Sequence, residues 1–286
     1  MSQCSATLLV GFTLCFLCNC GQDPKTVEQL QQAGEEAFVN QDYAKARSYL
    51  LQAVAKKPSD PQLLYLLGIS YQRDYLYDSA FYYLKRAAIL YPDDRETNLA
   101  LYEVAKALGD WKSAIKAIHV LIKTGDASEQ YDRELAELNL RNENYHVAYH
   151  FYRKLLEREP DNPNHYLIVA NLAISLDSVD AALRVIDSAI GQFGQREELQ
   201  LNKGMYLIAA GKYQESEAIF RSLLAQDSTS TAYKLNLANA LASQDSKAKK
   251  EEAYQLYQDI KEKVGPKFKV DSLLQALKEE LHEESQ

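Results

Sequence analysis

Small residues recur along the chain with a step of 34 residues. Alanine stands at five successive steps and serine at the next, at Ala46, Ala80, Ala114, Ala148, Ala182 and Ser216. Three residues before each of them lies a bulky residue, at Tyr43, Tyr77, Trp111, Tyr145, Val179 and Tyr213. A fixed period of this length predicts stacked helical hairpins, because a single hairpin cannot bury its apolar face alone.

Other columns keep the same phase. Twelve residues before each member of the alanine column lie Gly34, Gly68, Tyr102, Ala136, Ala170 and Gly204. Seven residues after it lie Ala53, Ala87, Leu121, Leu155, Ala189 and Leu223. Prolines close three units, at Pro58, Pro92 and Pro160. Each unit therefore predicts two helices joined by a tight turn, and an ordinary helical bundle would not keep these columns in phase.

These columns resemble the signature of the tetratricopeptide repeat family, and residues 61–94 match it most closely, with Leu64, Gly68, Tyr71, Ala80 and Pro92 in the family's places. The resemblance implies an all-α fold, a right-handed α-solenoid of about seven hairpins within residues 27–267. Its units start at residues 27, 61, 95, 129, 163, 197 and 231. The third unit departs from the pattern at Tyr102, and the seventh carries extra residues between 244 and 252.

The last segment, residues 268–286, is predicted to be a capping helix. Its apolar residues share one helical stripe, whereas the acidic residues lie mostly off it. The stripe consists of Val270, Leu273, Leu274, Leu277 and Leu281. Such a helix covers the apolar face of the last hairpin, as repeat arrays require. A membrane-lying helix would need a Lys/Arg-rich polar face instead.

The first twenty residues carry all four cysteines, at Cys4, Cys15, Cys18 and Cys20. The apolar run 6–18 is shorter than the roughly 20 residues that span a bilayer and matches the core of an export signal. The end of this run resembles a bacterial lipoprotein signal, whose cysteine becomes the acylated first residue of the mature chain. The resemblance implies a signal peptide over 1–19, a lipid anchor at Cys20 and a tether over 20–26. It places the protein in the bacterial cell envelope, facing the periplasm.

Three other interpretations of this leader stay open. It could be a secretory signal cut elsewhere, a cysteine-rich metal or disulfide site, or the apolar start of a cytoplasmic protein. Residues 1–7 carry no Lys or Arg, which an export signal usually has there. The 266 residues after Cys20 contain no cysteine, which favours export because such a chain avoids stray disulfides.

Charge and composition argue against several classes of function. The formal net charge is −8, and the lysines of residues 247–250 form the one visible basic cluster, predicted to be a solvated turn. Nucleic-acid binding, which requires clustered Lys and Arg, is therefore not expected. His146 and His150 have the spacing of two metal ligands on a helix, but the glutamate of the zinc-protease motif is missing between them. No cofactor, metal, small-molecule substrate or enzymatic activity is expected.

In the solenoid that the resemblance implies, the first helices build the concave face, where a protein or peptide partner would bind. Asparagine can donate to and accept from the main chain of an extended peptide, and apolar neighbours can supply pockets. An equally weighted alternative is that the asparagines only stabilise adjacent helices or face water. The candidate residues are Tyr65, Arg73 and Arg133 in the early units, and Leu167, Asn171, Leu201, Asn202, Met205, Leu235, Asn236 and Asn239 in the later ones.

The sequence thus predicts a non-enzymatic interaction scaffold that is anchored to a membrane by lipid. Its architecture resembles that of repeat lipoproteins in outer-membrane protein assembly or pilus biogenesis, although architecture alone does not fix function. The alternatives are a soluble cytoplasmic adaptor or co-chaperone and, third, an enzyme subunit whose repeats dock a catalytic partner.

Overall fold

The computed structural model describes residues 25–264 and 270–283 of the chain. In these ranges the chain forms fifteen α-helices and no strand, so the all-α prediction is confirmed. The helices are α1 Val27–Val39, α2 Tyr43–Lys56, α3 Pro61–Arg73, α4 Tyr77–Leu90, α5 Arg95–Leu108, α6 Trp111–Lys123, α7 Ser128–Arg141, α8 Tyr145–Arg158, α9 Pro163–Ser175, α10 Val179–Phe193, α11 Glu197–Ala209, α12 Tyr213–Gln226, α13 Thr231–Ala242, α14 Lys247–Val264 and α15 Asp271–Glu283.

Odd-numbered helices up to α13 are the first helices of the hairpins, and even-numbered ones are the second helices. The first helices begin where the 34-residue step places a unit, except that α7 begins one residue earlier, at Ser128. The chain also divides into two larger compact units, each made of several repeats, with the boundary between Leu108 and Gly109. From here on, the first unit and the second unit are these two parts of the chain. The first unit contains α1–α5 and the second α6–α15. This boundary falls in the third hairpin, where Tyr102 replaces the small residue of the other hairpins.

Each second helix from α2 to α12 buries residues three, seven and ten positions after its start. In α4 these are Ala80, Leu84 and Ala87, and in α12 they are Ser216, Phe220 and Leu223. In three hairpins the side chain at the middle position, Leu50, Leu84 or Phe220, lies against the glycine of the first helix. A Cβ added at Gly68 would lie 2.6 Å from Leu84 Cγ, and one at Gly204 would lie 2.6 Å from Phe220 Cζ. Glycine therefore permits the close approach of the two helices.

The turns inside the hairpins also repeat with the 34-residue step. Residues with positive φ, between 55° and 74°, lie at Gln41, Tyr75, Gly109, Glu143, Asp177 and Gly211. At five of these turns the amide of the following residue donates to a carbonyl five residues back, as in Asp42 N to Ala37 O at 2.9 Å and Lys212 N to Leu207 O at 2.8 Å. This is the Schellman pattern of helix ends. Four turns use a residue other than glycine, and an L-residue in this conformation costs roughly 1–2 kcal/mol.

The seventh hairpin departs from the pattern in its second helix. The prediction that residues 247–250 form a solvated turn is wrong, because they form the first turn of α14. Their long side chains reach carboxylates on neighbouring helices: Lys249 Nζ lies 2.7 Å from Glu217 Oε2, and Lys250 Nζ lies 3.3 Å from Glu280 Oε2. The buried residues of α14 are Ala253, Tyr257 and Ile260, three positions later in the helix than elsewhere.

Helix α15 caps the last hairpin. Val270 and Leu277 are buried in the core formed with α12, α13 and α14, and Leu274 and Leu281 are partly buried against it. Leu273, which the stripe predicts to be covered, is 40% exposed, because it lies at the edge of the stripe. The apolar face of α15 thus packs on the hairpin, while the acidic residues between its apolar positions stay exposed.

Glu217 on α12 bonds to the turn between α13 and α14 and to α14 itself near this end. Its carboxylate accepts hydrogen bonds from Gln244 Nε2 at 2.8 Å and Lys249 Nζ at 2.7 Å, and its Oε1 lies 3.0 Å from Arg221 Nε. Burial alone would raise the pKa of Glu217, but these hydrogen bonds outweigh burial and lower the pKa to about 2. The ionised carboxylate therefore stabilises the packing of α12 against α14 and the turn that precedes it.

Candidate partner-binding face

The predicted partner residues of the first unit lie on α3. Tyr65 is half-buried and packs against the apolar cores of that unit. Burial, followed by the charges of Glu96 and Asp94, raises the pKa of its hydroxyl. Arg73 is exposed at the end of α3. The structure therefore leaves Arg73 accessible, whereas Tyr65 mainly packs between helices.

In the second unit, α7 presents a charged surface. The accessible stripe of α7 consists of Gln130, Arg133, Glu137 and Arg141. Arg133 Nη2 lies 2.5 Å from Glu159 Oε1, and Arg141 Nη2 lies 2.8 Å from Glu137 Oε1. Arg133 is thus accessible but already paired with a carboxylate.

The same positions on α9, α11 and α13 are almost free of charge. Spacings of three, four and four residues place them on one stripe of each helix. Among them Glu198 carries the one charge; the others are Asn164, Leu167, Asn171 and Ser175 on α9, Leu201, Met205 and Ala209 on α11, and Ala232, Leu235, Asn239 and Ser243 on α13. We call Asn171, Leu201, Met205, Leu235 and Asn239 the Asn–Leu face.

Two buried tyrosines fix the orientation of the asparagines on this face. The Tyr206 hydroxyl lies 2.9 Å from Asn171 Oδ1 and 3.3 Å from Asn202 Oδ1, and the Tyr257 hydroxyl lies 2.7 Å from Asn239 Oδ1. Burial raises the pKa of each tyrosine to about 12, so both hydroxyls remain protonated and donate.

This arrangement occupies a carbonyl oxygen of each asparagine and leaves the amide nitrogen available. In the described part of the chain, no hydrogen bond from Nδ2 of Asn171 or Asn239 is found. Asn171 is exposed, and Asn239 is half-buried. The face therefore presents N–H donors whose direction is set by the tyrosines behind them.

The remaining predicted residues have other roles. Asn202 Nδ2 donates to Glu198 O at 2.8 Å, and Asn236 Nδ2 donates to Ala232 O at 2.9 Å, so both amides bond to their own helix. Leu167 is 7% exposed and belongs to the core around α9 and α10. Leu201 is partly buried, and Met205 is 37% exposed.

Tyr206 and Tyr257 are the residues that sequence reasoning missed. The 34-residue step places Leu172 and Ala240 in the column of Tyr206, so a tyrosine there departs from the repeat. That departure is a usable signal, because a buried tyrosine needs a hydrogen-bond partner. Tyr257 is harder to recognise from the sequence. The additional turn of α14 displaces its buried positions from the columns that the 34-residue step gives.

Other predicted features are placed as follows. His146 and His150 are both exposed on α8. Across residues 25–264 and 270–283, no three His, Cys, Asp or Glu side chains group into an arrangement that could hold a metal ion. No helix of these ranges combines the length and apolar character of a membrane span. Cys20 and the predicted signal peptide lie outside the described residues.

Stacked hairpins with a weakly charged surface of donors and apolar side chains define a helical-repeat protein of the protein-binding class. A tetratricopeptide repeat model matches residues 32–95, 133–197 and 201–263, more than half of the chain. The chain belongs to the tetratricopeptide repeat family.

Among curated proteins, the human protein O-mannosyl-transferase TMTC1 is 24% identical over 212 residues, covering 72% of this chain. The chain spans 23% of the length of that relative.

Three solved structures also match this chain. A tetratricopeptide repeat protein from Parabacteroides merdae ATCC 43184 has a TM-score of 0.43 and 16% identity, covering 88% of this chain and 98% of that one. MamA has a TM-score of 0.41 and 18% identity, covering 58% of this chain and 90% of that one. The Naa15/Naa10 complex bound to HypK-THB has a TM-score of 0.42 and 15% identity, covering 84% of this chain and 42% of that one.

Proposed function

We propose that this protein is a non-enzymatic scaffold that binds an extended, uncharged peptide segment of a partner protein on the Asn–Leu face. Tetratricopeptide repeats are protein–protein interaction modules, and the chain carries them over most of its length. The observation that carries the finer proposal is the pair of tyrosine hydroxyls that hold Asn171 and Asn239 as donors.

The chemistry of the face favours a main-chain ligand. Oriented N–H groups match the carbonyl oxygens of an extended peptide, which are present whatever its side chains are. Leu201 and Met205 lie on α11, between the helices of the two asparagines, and Leu235 lies one turn before Asn239 on α13. These three residues offer apolar contacts for alternate side chains of the peptide. Because only Glu198 is charged along these stripes, a charged segment would lose water without gaining a partner.

The first test is selection from a phage-displayed library of random 12-residue peptides on the purified chain. We expect selected sequences to be poor in charge and to bind the double variant Asn171→Ala, Asn239→Ala roughly tenfold or more weakly, since each lost hydrogen bond weakens binding by about 1 kcal/mol. The measurement is isothermal titration calorimetry with the selected peptides.

A matched control keeps the test specific. Asn236→Ala removes an asparagine whose amide bonds to its own helix, and we expect it to leave peptide affinity unchanged. Tyr206→Phe should weaken binding although Tyr206 lies behind the face. Equal affinity of the wild type and the double variant for every selected peptide would refute this binding mode.

We further propose that the scaffold is held in the bacterial cell envelope by a lipid at Cys20, where it would serve the assembly of envelope complexes. The support is the sequence of the leader and the absence of cysteine after residue 20. Metabolic labelling with a fatty acid tests this location. We expect label on the wild type and none on Cys20→Ser, with Cys18→Ser as the matched control. A wild-type chain without label would exclude the lipid anchor.

A further inference from the structure

Exposed apolar side chains concentrate on α4 and at its two ends. Of the twelve large hydrophobic residues that are exposed in the described part of the chain, six lie between positions 75 and 91. Ile89 is 69% exposed, and Tyr82 is 56% exposed. We call the six the α4 patch: Tyr75, Leu76, Tyr82, Ile89, Leu90 and Tyr91.

The repeat architecture does not require these residues. At the phase of Tyr82 the other hairpins carry Ser48, Lys116, His150, Arg184 and Ala218. At the phase of Ile89 they carry Ala55, Lys123, Glu157, Gly191 and Ala225. The second hairpin alone places large apolar side chains at both phases, so the patch is a property of this hairpin and not of the fold.

Tyr75 adds a second observation. It occupies the turn position with positive φ (59°), where glycine would be free of strain and where two other hairpins do use glycine. Its side chain is 77% exposed, with its ring 6.1 Å from that of Tyr77, so burial within the hairpin does not account for it. Gln41, Glu143 and Asp177 share this backbone conformation in other hairpins, so what is particular to the second hairpin is the exposed aromatic ring.

The charges around the patch are arranged symmetrically about Tyr82. Tyr75 and Ile89 lie seven residues to either side of it, and Asp78 and Arg86 lie four residues to either side. Arg86 is held in place, because its Nη2 donates to Pro58 O at 2.8 Å and its guanidinium lies 5.4 Å from the centre of the Tyr82 ring. Asp78 is exposed on the first turn of α4.

We propose that the α4 patch binds the α4 patch of a second copy of this chain. The two α4 helices run antiparallel, with the two-fold axis at Tyr82. Each copy then places Asp78 against Arg86 of the other copy, with Tyr82 and Ile89 between the two helices, so that every contact occurs twice, as in other two-fold contacts. A negative first turn and a positive last half make the helix complementary to its own antiparallel image.

An anionic lipid surface fits the patch less well. Over residues 73–95 the charges balance and give no net basic surround: the acidic side chains are Asp74, Asp78, Asp93 and Asp94, and the basic ones are Arg73, Lys85, Arg86 and Arg95. A lipid contact of this kind would favour a basic surround. Charge complementarity therefore selects the second copy.

The test is disulfide crosslinking of the full chain in the cell. Tyr82→Cys places a thiol on the proposed axis, and we expect oxidation to give a dimer band above the wild-type background set by the native cysteines. Val39→Cys, at a side chain that is 78% exposed outside the patch, is the matched control and should stay at background. No band above background with Tyr82→Cys, or an equal band with Val39→Cys, would overturn the proposal.

Further substitutions in the Tyr82→Cys chain test the register. Ile89→Asp should lower the dimer yield roughly tenfold or more, because it would bury an unpaired charge in the contact. Asp78→Arg and Arg86→Asp should each lower the yield, and the double exchange should restore it. Restoration shows that the single variants fold, while a double variant as weak as either single one would refute the antiparallel pairing.

Discussion

Replacing Phe220 by alanine is expected to lower the free energy of unfolding of the second unit by about 3–5 kcal/mol. Phe220 is fully buried, and its ring lies against Gly204 on the facing helix. Glycine offers no side chain that could move into the space left by the ring, so the cavity stays open and its whole lining loses contacts. Urea unfolding followed by circular dichroism measures the loss.

Phe220→Leu is the matched control for this prediction. Leucine stands at the same place in α2 and α4, where Leu50 and Leu84 face Gly34 and Gly68. We therefore expect Phe220→Leu to be clearly less destabilising than Phe220→Ala. Equal and small effects of both substitutions would mean that the ring does not support the packing of α11 on α12.

The second large effect is expected at Glu217. Glu217→Gln should lower the free energy of unfolding at pH 7 by about 2–3 kcal/mol, because the charge-assisted hydrogen bonds with Lys249 and Arg221 are lost. The exposed Glu215 on the same helix provides the control, and Glu215→Gln should change the stability by less than about 0.5 kcal/mol.

The effect of Glu217 depends on pH in a defined direction. Its pKa in the folded protein, about 2, lies below its ordinary value of 4.5. The stabilisation is therefore fully present above pH 4.5 and is lost as the pH falls towards 2. Unfolding midpoints of the wild type and Glu217→Gln should converge over this range. A difference between the two midpoints that does not change as the pH falls from 4.5 towards 2 would contradict the assignment.

The sequence predicted the hairpins well because the 34-residue step reports packing directly. A small residue is needed wherever two backbones approach, and this need recurs in every hairpin except the third, which has Tyr102 at that position. The seventh hairpin was harder, since α14 buries Ala253 where the step places Lys250. Periodicity cannot reveal a helix that begins at the expected residue but whose buried positions come one turn later than expected.

The candidate face was only partly predictable. The sequence identified Asn171 and Asn239, but all four asparagines looked equivalent. What separates them is the amide nitrogen, which bonds to its own helix in Asn202 and Asn236 and stays available in Asn171 and Asn239. The tyrosine behind Asn171 lies 35 positions away in sequence. Leu167 and Leu201 also share a column, yet Leu167 is buried and Leu201 only partly so, because burial depends on neighbouring helices that a column does not describe.

The displaced packing of α14 also bears on how such a chain can change in length. Each residue of an α-helix rotates the chain by about 100°, so three additional residues return an apolar face nearly to its original direction. The buried face of α14, which includes Ala253 and Tyr257, therefore still meets α13. One or two additional residues would have turned that face towards water. Insertions within a second helix are thus tolerated in steps of about one turn, and the lysines of the new turn are free to acquire partners of their own.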